Sequence, residues 1–94
     1  MTAPVTADPA PDYLARLNTA GIDYDAPTMI DAAKLVCDDL NQGATVASTV
    51  AQVVVRLPSY GTAASFQAGA IIGAAAATYC PQYHELVQAY GNGA

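Results

Sequence analysis

Eighteen consecutive residues, Ala63 to Cys80, carry no charged side chain, and this stretch limits the folds open to the chain. A segment of that length either crosses a membrane or lies inside a protein. Its strongly apolar members are only Phe66, Ile71 and Ile72, among eight alanines, two glycines and small polar residues. Each such side chain favours insertion by only a few tenths of a kcal/mol. The expected state is therefore a helix enclosed by other helices, with no transmembrane segment. Phe66, Gly69, Gly73, Ala76 and Cys80 recur at helical spacing, so Gly69 and Gly73 are expected to permit close helix packing.

Helix signals recur elsewhere, and strand signals do not. Asp8-Pro9 can open a first helix with Tyr13, Leu14 and Leu17 on one side, and Gly21 can close it. Thr28 is the expected cap of a second helix, with Ile30, Ala33, Cys37 and Leu40 on one face and Gly43 at its end. Thr45 can cap a third, carrying Val46, Val50, Val53, Val54 and Leu57 up to Pro58. Val53-Val54-Val55 alone would suit a strand, but no partner strand is visible. The charge-free helix should start at Ser59 or Thr62 and end at Tyr79 or Cys80, because Pro81 disfavours helical backbone before it. Gln82 to Tyr90 should form a short amphipathic helix with Tyr83, Leu86, Val87 and Tyr90 facing inward. The fold class is all-α: a compact bundle of four to five short helices clamped by one disulfide. Residues 1–7 are expected to form a flexible leader, 8–90 a single helical domain and 91–94 a flexible tail.

Ninety-four residues leave no room for a second core, and 21 of them are alanine. Three Lys/Arg against eight Asp/Glu give a net charge of −5. That balance argues against a phosphate-neutralising patch, so no nucleic acid is expected as partner. Cys37 and Cys80 admit three states: a disulfide, two buried thiols, or a metal or redox pair. Zinc wants four ligands and only His84 could assist, while the spacing is unlike Cys-x-x-Cys. The disulfide is the expected state, and it places the chain in an oxidising compartment.

The segments LNTAGIDYDAP (17–27), AAKLVCDDLNQGAT (32–45) and AGAIIGAAAATYCPQY (68–83) resemble domain-of-unknown-function family 732. Its members are small helical proteins of mycobacteria and related actinobacteria, usually behind a signal peptide or lipobox. The resemblance implies a secreted or cell-envelope location for a mature form lacking its signal, with Cys37 and Cys80 as the expected pair. It implies no activity. Two departures stand out: the chain runs on past Tyr83 as HELVQAYG, and it shows no signal peptide. A cytosolic or phage-encoded relative is the other reading they allow.

Catalytic chemistry finds little support in the residues. Asp38 and Asp39 are neighbours on a helix and diverge by about 100°. Asp23 and Asp25 lack the further oxygens calcium requires. No catalytic residue, metal site or cofactor is assigned, and no enzyme is expected. Tyrosine is the unusual residue, six in all against one Phe and no Trp. Tyr24, Tyr60, Tyr79, Tyr83 and His84 are the candidate partner or ligand surface, the last three flanking Pro81 where they could border one cleft. The expected function is a non-catalytic interaction module for an unknown protein partner. The alternative is a carrier of a small apolar ligand or haem, the latter held axially by a tyrosine or the histidine.

Overall fold

The computed structural model describes residues 8–58 and 61–91. The leader and Tyr60 fall outside these residues, as does all of the expected tail except Gly91. Five α-helices follow in order: α1 (Ala10–Thr19), α2 (Ala26–Asn41), α3 (Val46–Val54), α4 (Gly61–Thr78) and α5 (His84–Gly91). A single 3₁₀ turn, Pro81–Tyr83, joins α4 to α5. There is no strand among the described residues, and no single helix there is long and apolar enough to cross a membrane.

Local chemistry sets most boundaries. Pro9, not Asp8, is the N-cap residue of α1, and the Asp8 carboxylate before it accepts from the Ala10 amide at 3.1 Å. Gly21 and Gly43 hold φ +82 and +90, the left-handed geometry that closes a helix. Beyond each, an amide returns into the last turn: Ile22 N–H to Leu17 C=O at 2.9 Å, and Ala44 N–H to Asp39 C=O at 3.0 Å. Thr45 caps α3, its hydroxyl accepting from the Ser48 amide at 3.0 Å. The valine run stays helical through Val54.

Asp25, not Thr28, caps α2. Its carboxylate accepts from the Thr28 amide at 3.1 Å and from the Thr28 hydroxyl at 2.9 Å. The helix can start this early because Pro27 in its first turn has preset φ and no N–H to leave unpaired. Its buried face is Met29, Ala32, Ala33, Val36 and Leu40, so Ile30 and Cys37 lie at the margin rather than the centre.

α4 is the core of the bundle and touches α1, α2, α3 and α5. Ala64, Ala68, Ile71, Ile72, Ala74, Ala75 and Ala76 are all buried, which spreads the apolar surface around much of the helix. The expected stripe through Phe66, Gly69 and Gly73 is therefore corrected. Phe66 is 65% exposed, and a Cβ built on Gly69 or Gly73 would meet nothing within 4 Å. The adjacent isoleucines fix the inward direction, and alanines rather than glycines make the close contacts.

α5 also differs from expectation. Leu86 is 51% and Tyr90 47% exposed, whereas Tyr83, His84 and Val87 are half-buried. Of the expected inward residues within α5 only Val87 packs against the core, while Leu86 and Tyr90, four residues apart, share the outer face.

The Cys37 and Cys80 sulfurs are bonded, with Cα atoms 5.9 Å apart. The bridge joins the C-terminal half of α2 to the segment just after α4 across 43 residues. A loop of that length is worth about 4 kcal/mol on the chain-entropy account. Cys37→Ser is expected to lose a stabilisation of about that size, read as a marked drop in melting temperature. Wild type melted with reductant should then fall to the same midpoint as the variant.

Candidate functional site

Tyrosines occupy two kinds of place. Tyr13 is fully buried, and its hydroxyl donates to the Met29 carbonyl at 2.6 Å, tying α1 to the start of α2. Tyr79 meets it edge-on, with ring centroids 5.4 Å apart and planes at 89°. Burial pushes the Tyr13 hydroxyl pKa well above the ordinary tyrosine value, and charge repulsion from the neighbouring Tyr79 hydroxyl adds to that. Tyr79 is also raised, first by desolvation and then by the Asp8 carboxylate. This pair is structural: both hydroxyls are kept protonated, and one is spent on a backbone carbonyl.

The other described tyrosines make single tethers. Tyr24 donates to the Gln67 side-chain oxygen at 2.8 Å, which ties the α1–α2 loop to α4. Tyr83 donates to the Asn41 side-chain oxygen at 2.7 Å, which ties the segment before α5 to the end of α2. The cleft expected from Tyr79, Tyr83 and His84 is not formed. The turn after Cys80 sends Tyr79 toward α1, Tyr83 toward α2 and His84 into a groove with α1 and α4. Among the described residues, no group of three His, Cys, Asp or Glu side chains stands close enough to hold a metal ion.

Three shallow grooves surround α5 instead. One, of about 360 Å³, lies between α3, α4 and α5 and includes Val46, Val50, Gly69, Ile72, Gly73 and Tyr90 in its lining. A second lies beside Leu86, Ala89 and Tyr90, with residues 43–47 as its other wall. No charged residue lines either of these. The third, of about 340 Å³, lies between α1, α4 and α5 and holds Arg16 and His84. Gly69 and Gly73 thus open a groove where the sequence suggested a contact. Arg16, Leu86, Tyr90, Val46 and Val50 join the surface without having been candidates for it. Arg16 has no local sequence signal pointing to α5, since only the packing of α1 brings it there.

Residues 7–82 match the model of a family described as a protein of unknown function, DUF732. No curated protein and no solved structure matches the chain.

The raised tyrosines fix the sign of a pH effect. The unfolded chain gives up these protons near pH 10, while the fold retains them, so stability is complete below that pH and declines above it. Each of the two raised tyrosines contributes a slope of at most about 1.4 kcal/mol per pH unit. In Tyr13→Phe the alkaline slope should shrink, and stability below pH 10 should fall by about 1 kcal/mol from the lost hydrogen bond. Urea unfolding between neutral and alkaline pH measures both.

Proposed function

The chain belongs to the DUF732 family, and from that premise we propose that it is an exported, non-catalytic helical module that docks a protein partner through the outer face of α5. The observation that carries this reading is the half-exposed pair Leu86 and Tyr90 on one face of α5, beside an uncharged groove. Large side chains of this kind cost free energy in water and gain it when a partner covers them. Tyrosine is also among the residues that dominate interface energies, since it buries a broad ring with few rotamers to fix. A net charge of −5 makes an uncharged patch stand out as the part of the surface suited to desolvation.

Export is supported by the bridge itself. Cys37 is only partly buried, so cytosolic thiols would have access to one of its sulfurs. A disulfide so placed persists where the surroundings are oxidising. The −5 charge would further keep such a module soluble away from the partner face.

A photo-crosslinking residue placed at Leu86 or Tyr90 in living cells tests the docking face. A discrete protein adduct at those positions, with none from exposed Asp38 on α2, is the expected result. Equal adducts at all three positions, or none at 86 and 90, would count against the assignment. Thiol-specific mass tagging of the same cells tests location: no tag should attach until reductant is added.

A further inference from the structure

We infer that the groove between α1, α4 and α5 binds the head of a medium- or long-chain carboxylate, whose tail crosses Gly73 into the groove beneath α3. The charge distribution comes first. The chain has three Lys/Arg and one His against eight Asp/Glu, yet Arg16 and His84 line this groove and no carboxylate does. The rest of its wall is largely the methyl groups of Ala20, Ala70, Ala74 and Ala77. Arg16 does contact Asp12, through Nε at 3.4 Å. That pair is half-exposed or more on both sides and is screened by water, and the two terminal guanidinium nitrogens remain to face an anion. Arg is suited to this because its planar fork matches a carboxylate.

The tail path comes second. Gly73, Val87 and Gln88 line both this groove and the uncharged one under α3. At the crossing, Gly73 leaves space that any side chain would occupy, since a Cβ there would meet nothing within 4 Å. Beyond it Val46, Val50 and Ile72 offer an apolar wall. One cationic end followed by an apolar length is the complement of a single-chain amphiphile with an anionic head. At about 340 and 360 Å³ the two grooves are of small-ligand size. The head site uses the 84–87–88 face of α5 and protein docking the 86–89–90 face, with Tyr90 the α5 residue that borders both the tail groove and the docking groove, so this inference goes beyond that reading.

Calorimetric titration of the intact, disulfide-bonded protein with dodecanoate, below its micelle concentration, tests the site. Saturable binding is expected, with amide NMR shifts concentrated at Gly69, Gly73 and Val87. Arg16→Ala combined with His84→Gln should weaken dodecanoate about 10-fold, the scale of one lost charge-assisted contact. The same double variant should leave dodecyl alcohol unaffected. Gly73→Leu, which projects into open space and should keep the helical spectrum, should abolish binding of both. Val50→Trp, filling the second groove from α3, should do the same. Absence of saturable dodecanoate binding by wild type overturns the inference. So does undiminished binding by both groove-filling variants, or an equal loss of acid and alcohol in the double variant.

Discussion

A helix with four neighbours has little surface left for water, and this condition on α4 governs the rest of the molecule. Side chains on such a helix must be small if the surrounding axes are to come near, and apolar because polar groups there would lack partners. Alanine meets both demands while keeping high helix propensity. The cost is low burial per residue, because a methyl group removes little area from water. Larger side chains therefore come from the surrounding helices, Tyr13, Leu17, Met29, Val36 and Val53 among them, with Ile71 and Ile72 as the bulk supplied by α4 itself. Total stabilities of small domains are only about 5–15 kcal/mol, so a cross-link across α2 and α4 is a large share of what holds this one.

The tyrosine contacts extend the same logic. Each described hydrogen-bonding tyrosine connects two segments distant in sequence: Tyr13 reaches Met29, Tyr24 reaches Gln67 and Tyr83 reaches Asn41. A ring with a polar tip suits a thinly built core, because the ring fills space and the hydroxyl finishes at a defined acceptor. With one Phe and no Trp in the chain, tyrosine carries both duties.

What was legible in the sequence was what is decided within a few residues. Thr45, Gly21 and Gly43 act locally, and their roles were readable as caps and stops. The pairing of Cys37 with Cys80 followed once a bundle and a family pattern were in view. The orientation of α4 was not legible, because alanine distributed around a helix gives no strong apolar direction, and a single Phe in the pattern misleads. The face of α5 was misread because its apolar residues span two sides of the helix, and spacing does not tell that Val87 turns inward while Leu86 and Tyr90 stay outside. Tyr79, Tyr83 and His84 are close in sequence, yet they reach three different neighbours once the chain bends at Pro81. Asp25 outcompeted Thr28 as a cap because its carboxylate could bind both the amide and the hydroxyl of the rival.

The position of the sulfur bridge also decides how the molecule would bear tension. The backbone between Cys37 and Cys80 closes into a covalent ring that contains α3 and α4, while α1, the first part of α2 and α5 lie outside it. A pull applied at the two ends would run along α1 and into α2, cross the sulfur atoms and leave through α5. The ring would be bypassed, so its helices would carry no load until the bond itself gave way. Stretching would strip the outer segments first and uncover the alanine faces of α4 that they had covered, while the ring kept α3 and α4 covalently joined.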